Sequence, residues 1–144
     1  MKNPFTGNNY THIMWLDDDH VFNPDMAIAL ARHKVDMVTG LYFARLSPYH
    51  PSVYVKDLGK GNDEKYLHFP ITGVPPQLFE CDACGFGAMF MKRDVLDKVC
   101  EKPFTLDWRC GEDIAFCVEA KEKGVKIYCD GSYRLGHLGM TPRS

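Results

Sequence analysis

The sequence has no long hydrophobic run. None of its apolar stretches approaches the roughly 18 residues that a membrane-spanning helix needs. The opening residues MKNPFTGNNYTH also lack the basic start, apolar segment and small-residue cleavage site of a secretory signal peptide. We therefore predict a cytoplasmic protein without a membrane span.

Basic clusters are also missing. The chain has 17 Lys and Arg residues against 19 Asp and Glu residues, a formal net charge of -2, and no run of basic side chains dense enough for a nucleic-acid patch. We therefore expect no nucleic-acid partner. A hydrophobic content of 45% and a charged content of 25% are typical of globular proteins, and the 144 residues suit a single domain.

Cysteine is present but does not form a zinc-site pattern. The six cysteines are Cys81, Cys84, Cys100, Cys110, Cys117 and Cys129. In a reducing compartment we expect buried free thiols, not disulfides. The CDAC segment resembles half of a zinc site, but a structural zinc site needs four ligands and the later cysteines supply no second C-x-x-C pair. We therefore predict neither disulfides nor a zinc site.

The segment HIMWLDDDHVFNP, residues 12–24, joins an apolar strand to three adjacent carboxylates. Like charges side by side repel, which costs stability unless a cation lies among them. Asn23 and Pro24 suit the N-cap and the first helical position, and the apolar spacing predicts a helix over residues 24–34. Residues 35–43 return to strand character. The segment therefore predicts a βαβ unit.

The rest of the chain continues this alternation of strands and helices. Strands are predicted over residues 52–56, 65–69, 78–82, 87–91 and 125–130, and the first two are consistent with a hairpin or a flexible excursion. Helices are predicted over residues 93–99 and 111–124, the second ending at a glycine. Residues 131–139 look like a glycine-bounded tail. The pattern favours an α/β fold.

The three aspartates are candidates for binding a metal. Because side chains alternate along a strand, Asp17 and Asp19 should point one way and Asp18 the other. Two carboxylates at the carboxyl end of a strand suit a hard divalent cation that takes further ligands from water and from substrate phosphates. The alternative is a solvated acidic turn that caps the following helix.

Two later motifs have both a functional and a purely structural interpretation. Glu112 and Asp113 fall in the first turn of a predicted helix, where acids are common because they complement the helix dipole. A carboxylate there, near a metal, also suits a general base. His137 is either a metal ligand or one histidine of six.

Taken together, five spaced segments resemble the catalytic core of nucleotide-sugar glycosyltransferases of the family 2 type, which have the GT-A fold. They are MWLDDDHVFNPD, MVTGLYFAR, CDACGFGAMFMKRDVL, WRCGEDIAFCVEAKEKGVKIYCD and LGHLG, and they touch most of the chain between residues 12 and 139. The resemblance implies a Rossmann-like three-layer α/β sandwich with a mixed central sheet. Compared with the family, the sequence lacks the N-terminal strands that hold the nucleobase.

The resemblance implies a metal and diphosphate site. It is formed by the "DxD" element and a late histidine, which correspond to Asp17, Asp18, Asp19 and His137. The metal would be Mn²⁺ or Mg²⁺, with Asp17, Asp19 and His137 as ligands. Asp17 or Asp18 would also contact the donor.

The same resemblance implies a catalytic base and an acceptor pocket. Asp113, beside Glu112, matches the usual base of inverting members. Gly85 and Gly87 would line the sugar and acceptor pocket, and Trp108 would lie near the acceptor.

The implied function is metal-dependent transfer of a sugar, with inversion, from a UDP or GDP sugar to a hydroxyl of a carbohydrate, lipid or protein. The alternative is a catalytically inactive glycosyltransferase-like module or fragment that binds carbohydrate or protein. A metal-dependent phosphohydrolase would also use the acidic cluster, but it leaves Asp113 unexplained. Without the family's opening strands, the strand over residues 12–17 has an unpaired apolar edge, which predicts a homo-oligomer formed through that edge.

Overall fold

A computed structural model of the chain describes residues 4–44, 48–56, 68–99 and 112–137. The strands in these ranges are β1 (His12–Leu16), β2 (His20–Val21), β3 (Met37–Leu41), β4 (Val53–Lys56), β5 (His68–Pro70), β6 (Leu78–Cys81), β7 (Ala83–Cys84), β8 (Ala88–Lys92), β9 (Ile127–Arg134) and β10 (Gly136–His137). The helices are α1 (Met26–Ala31), α2 (Arg93–Val99) and α3 (Glu112–Glu122). The helices in the described ranges are not long and apolar enough to cross a membrane.

A five-stranded sheet in the order β1-β8-β3-β9-β6 forms the centre of the protein. β3 runs parallel to β9, and the other neighbouring pairs are antiparallel. The sheet is therefore mixed, and the predicted α/β class with a mixed central sheet is confirmed.

Side chains from alternate positions of the sheet build a core on each face. Met37 belongs to one buried cluster, with Val95 of α2 and Phe116 of α3. Its neighbour Val38 belongs to the other, with Leu30 of α1. Because successive strand residues point to opposite faces, one strand supplies both cores. The result is three layers, with α1 on one side of the sheet and α2 and α3 on the other.

A second, three-stranded sheet in the order β5-β4-β7 lies beside the first. β4 and β5 pair antiparallel, with Val55 opposite Phe69, so the predicted hairpin pairing is confirmed. Residues 57–67, which include the start of the second predicted strand, lie outside the described residues.

The first helix and the C-terminal end of the described chain differ most from the prediction. The first helix spans Met26–Ala31 instead of residues 24–34, because its N-cap is Asp25 and Lys34 has a positive φ of 54°, which is incompatible with helix. The predicted tail is wrong. β9 continues to Arg134, and β10 pairs with β2. Gly131 permits this continuation, since a Cβ there would lie 1.7 Å from the Pro75 carbonyl oxygen.

β1 is an edge strand of the five-stranded sheet in the described part of the chain. Arg93 N donates to Thr11 O, and Asp17 N donates to Gly87 O at 3.0 Å. These bonds turn the backbone of the odd-numbered residues toward β8, so the N–H and C=O groups of Met14 and its even-numbered neighbours face the outer edge.

The four described cysteines are free thiols, and all four are buried: Cys81, Cys84, Cys117 and Cys129. Cys100 and Cys110 lie outside the described residues. Hydrogen bonds with the Cys117 and Cys81 thiols, together with burial, raise the pKa of Cys84. Burial also raises the pKa of Cys129. The buried thiols act as small apolar side chains in the core.

Candidate functional site

The acidic loop between β1 and β2 brings two of the three aspartates together with a histidine. One ligand atom from each of Asp17, Asp19 and His20 lies within 4.8 Å of the other two. Asp17 is exposed, Asp19 is half-buried and His20 is buried. Asp18 is exposed and does not belong to this group. Two carboxylates and an imidazole are a donor set that could hold a divalent cation.

His20 was missed by the sequence interpretation, although it directly follows the three aspartates. Its Nδ1 lies 2.9 Å from the Gly87 carbonyl oxygen. A carbonyl only accepts, so Nδ1 must carry the proton of this hydrogen bond. The ring also packs against Tyr42, with ring centroids 4.4 Å apart. Both contacts hold the imidazole in one orientation beside the carboxylates.

The backbone of His137 lies opposite His20. β10 and β2 are antiparallel, and His137 pairs with His20 in the register. The predicted late histidine therefore lies in β10, which pairs with β2 directly after the acidic loop. Its side chain lies outside the described part of the structure.

The glycines of the CGFG segment leave room for the side chains around the acidic loop. A Cβ on Gly87 would lie 2.4 Å from His20 Cε1 and 2.8 Å from the Tyr42 hydroxyl, and one on Gly85 would lie 2.3 Å from that hydroxyl. Gly87 N also donates to the Tyr42 hydroxyl at 2.9 Å. Only glycine fits at these two positions without moving Tyr42 or His20.

A cavity of about 510 Å³ opens next to the acidic loop. Its walls are formed by Trp15, Leu16, Asp17, Tyr42, Phe86, Gly87 and Asp113. Asp113 lies in the first turn of α3, and its Oδ2 accepts a hydrogen bond from Phe86 N at 3.1 Å. The cavity therefore joins the two acidic motifs, which are far apart in the sequence.

Not every predicted site residue reaches this cavity. Gly87 lines it, whereas Gly85 lies behind it against Tyr42. The side chain of Glu112 and the whole of Trp108 lie outside the described part of the structure.

Tyr42 is a neutral group within this acidic site. Burial raises the pKa of its hydroxyl, and the nearby carboxylates of Asp113 and Asp17 add to the effect. Burial and Asp113 also raise the pKa of Tyr54. The Tyr42 hydroxyl therefore keeps its proton at neutral pH and contributes hydrogen bonds without adding negative charge.

No protein-family model and no curated protein matches this chain. Among solved structures, it is similar to the crystal structure of A197 from STIV, with 28% sequence identity and a TM-score of 0.60. The match covers 90% of this chain and 58% of A197, so the chain spans a little over half the length of that protein. The similarity supports the α/β fold. It does not assign an activity, and the resemblance to glycosyltransferases stays a prediction.

Proposed function

We propose that this chain takes part in metal-dependent transfer of a sugar from a nucleoside diphosphate sugar to an acceptor hydroxyl. The observation that carries the proposal is that Asp17 and Asp113 line one cavity of about 510 Å³. A site for this reaction needs a cation-binding group for the diphosphate and a separate base for the acceptor. The acidic loop offers the first and the start of α3 offers the second.

The acidic loop is the donor end of the proposed site. Asp17 and Asp19 are the proposed carboxylate ligands, and Asp18 is the proposed contact to the donor. A bound Mn²⁺ or Mg²⁺ would neutralise the charge that develops on the departing nucleoside diphosphate. Exposure of Asp17 at the cavity mouth is consistent with a ligand that is shared with substrate.

Asp113 is the proposed general base at the acceptor end. The hydrogen bond from Phe86 N to its Oδ2, 3.1 Å long, fixes the carboxylate at the cavity wall. From there it would take the proton of an acceptor hydroxyl, which attacks the anomeric carbon from the face opposite the leaving group. This direct displacement inverts the anomeric carbon and needs no covalent intermediate. Glu112 and Trp108 are proposed to lie beside the acceptor.

The test is calorimetric titration of Mn²⁺ with UDP, and separately with GDP, into the wild type, Asp19→Asn and Asp113→Asn. We expect binding in the wild type, loss of binding in Asp19→Asn, and binding without sugar transfer in Asp113→Asn. Asp36→Asn is the matched control, because Asp36 is a surface carboxylate paired with Lys92 at 3.3 Å. A folded wild type that binds neither nucleotide would contradict the proposal.

A non-catalytic module that binds carbohydrate or protein is the second candidate. The position of β1 at the edge of the described sheet favours it, because a nucleotide-binding α/β half needs further strands beside such an edge. A folded protein that binds a carbohydrate but neither UDP nor GDP in the presence of Mn²⁺ would support this candidate.

A second copy of the chain is the proposed partner for the outer edge of β1. Exposed backbone N–H and C=O groups at a sheet edge readily pair with another strand. Light scattering at micromolar concentration should give the mass of a dimer or a higher oligomer, and a monomer would contradict this part of the proposal.

A further inference from the structure

We propose that two copies of the chain pair along β1 in antiparallel orientation, about a two-fold axis at Met14, so that each acidic loop lies beside a cavity of the other copy. The inference rests on the second copy that the proposed function assigns to this edge. It adds the direction and the register of the pairing. It also makes the site composite, with groups from both copies.

The backbone of β1 determines which residues can pair. Thr11 and Asp17 form backbone hydrogen bonds with the strand β8 side, so the N–H and C=O groups of His12, Met14 and Leu16 face the outer edge. Even-numbered residues of one copy therefore pair with even-numbered residues of the other. Antiparallel pairing of all five residues of β1 places Met14 opposite the partner's Met14 and His12 opposite the partner's Leu16. Any other antiparallel register leaves residues of the strand unpaired.

The side chains on the α1 face of this edge are suited to burial. Leu16 is 40% exposed, and Met14 is only partly buried. In the proposed register the two Met14 side chains meet at the axis, and Leu16 lies beside the partner's His12, whose ring stacks on Phe90 with centroids 4.9 Å apart. Pairing therefore removes apolar surface from water in addition to satisfying backbone groups.

The distribution of charge along the strand decides its direction in the pair. The three aspartates of the acidic loop follow one end of β1, whereas Tyr10, Thr11 and His12 at the other end include no acid. Parallel pairing about a two-fold axis would bring six carboxylates together at one end, where like charges repel. Antiparallel pairing keeps the two acidic loops about 20 Å apart at about 3.3 Å per residue. This separation exceeds the Debye length of about 8 Å at physiological ionic strength.

A cavity of about 560 Å³ at the start of β1 is the proposed place for the partner's acidic loop. Its lining includes Tyr10 and Thr11, the basic residues Lys92 and Arg93, and two acids of α2, so the charges of the lining balance. Thr11 lies opposite the partner's Asp17 in the proposed register, and residues directly opposite each other point to the same face of a sheet. The cavity therefore offers hydroxyl and cationic donors to a loop that is rich in acceptors.

The pairing would also change the charge around the proposed donor end. The described lining of the cavity that joins Asp17 to Asp113 contains no basic residue. Arg93 N donates to Thr11 O, so the partner's Arg93 lies two strand spacings, about 10 Å, from Asp17. The long side chains of the partner's Arg93 and Lys92 reach across such a distance. They would add positive charge for an anionic substrate such as a nucleoside diphosphate sugar.

The first experiment tests pairing through the outer edge. Met14→Pro removes an N–H that faces outward and leaves the hydrogen bonds to β8 in place, and proline is tolerated in edge strands. Met14→Ala is the matched control, because it shortens the same side chain and keeps the N–H. Light scattering at micromolar concentration should give a dimer for the wild type and Met14→Ala, and a monomer for Met14→Pro. A folded Met14→Pro that stays dimeric would overturn the inference.

The second experiment tests direction and register and does not depend on the proline variant folding. His12 and Leu16 are exposed positions at the two ends of β1. His12→Cys and Leu16→Cys chains are mixed and treated with a short bifunctional thiol reagent, and the linked peptides are identified by mass spectrometry. We expect position 12 of one copy to link to position 16 of the other. Links between two copies of the same variant, or no link at these positions in a dimeric sample, would overturn the inference.

The two proposals fail separately. If the chain forms this dimer and binds neither nucleotide, the inference stands and the glycosyltransferase proposal falls. If a monomeric chain binds Mn²⁺ with UDP or GDP, the function stands and the inference falls.

Discussion

Two combinations of histidine and aspartate in this protein have different arrangements of carboxylates. In the pair between the turn after α1 and β9, His33 Nε2 lies 2.7 Å from Asp130 Oδ2, and the other oxygen of Asp130 accepts from Ser132 N at 2.9 Å and from Ser132 Oγ at 2.5 Å. Each carboxylate oxygen of Asp130 therefore has a donor. This pair needs nothing further and is a structural contact.

The acidic loop is arranged differently. Two carboxylates, from Asp17 and Asp19, and the imidazole of His20 each bring one ligand atom within 4.8 Å of the other two, and the Nδ1 proton of His20 goes to Gly87. Two acids grouped in this way suit a divalent cation, whereas the single acid of the other pair is bound by donors of the protein itself. The comparison shows that the grouping of acids in the fold separates a candidate ligand site from a structural pair more sharply than counting acids in the sequence.

Replacing one acid from each region should give the largest contrast. At a Mn²⁺ concentration 100 times the dissociation constant, binding stabilises the native state by about 2.7 kcal/mol. We expect Mn²⁺ to raise the unfolding midpoint of the wild type and of Asp130→Asn, but not that of Asp19→Asn, because only Asp19 belongs to the ligand group. Thermal unfolding with and without Mn²⁺ measures this, and an equal shift in all three proteins would remove the distinction.

A methyl group on Gly87 should disturb the acidic loop without changing any charge. Because the new Cβ would lie 2.4 Å from His20 Cε1, we expect Gly87→Ala to lower the free energy of unfolding by about 1–3 kcal/mol and to weaken Mn²⁺ binding. Urea denaturation and metal titration measure the two effects.

Gly136→Ala is the matched control for this substitution, because its Cβ would lie at an ordinary 3.6 Å from Val21 Cβ. Equal stability of the two variants would show that the side chains around Gly87 can move to make room for a methyl group. The argument for a rigid site would then fail.

The contrast between the two regions also shows what the sequence can and cannot reveal. Helix α2 was predicted with its observed ends, and the strand that leads into the aspartates was found, because apolar spacing and cap residues are local signals. The grouping of Asp17 with Asp19, away from Asp18, was predicted from strand alternation and is observed, although β1 ends at Leu16 and the three residues lie in the loop after it.

What sequence reasoning missed depends on contacts between distant segments. The orientation of the His20 ring comes from a hydrogen bond to the carbonyl of Gly87, which lies 67 positions away in the chain. The strand character of residues 131–137 comes from pairing with partners across the fold, such as Val21 opposite Gly136. Neither contact produces a periodic pattern in the local sequence. Analysis of a short stretch of sequence therefore cannot detect these contacts.

The smallest expected effect is a pH dependence of stability that belongs to the structural pair. Burial alone would raise the pKa of Asp130, but the hydrogen bonds from Ser132 and His33 outweigh it and the pKa is lowered. A carboxyl whose folded pKa lies below its unfolded value, about 3.9, stabilises the protein above that pH and loses this contribution as the pH falls through the folded pKa. Asp130→Asn removes the titrating group.

The difference in unfolding free energy between the wild type and Asp130→Asn should therefore be larger at pH 5 than at pH 3, as measured by urea denaturation at each pH. Asp82→Asn should behave in the same way, because hydrogen bonds from Lys121 and from Lys56 N lower the pKa of Asp82 despite its partial burial. A difference that stays constant down to pH 3 would mean that Asp130 gains nothing from its donors when charged. The hydrogen bonds that make this pair a structural contact would then contribute nothing to stability.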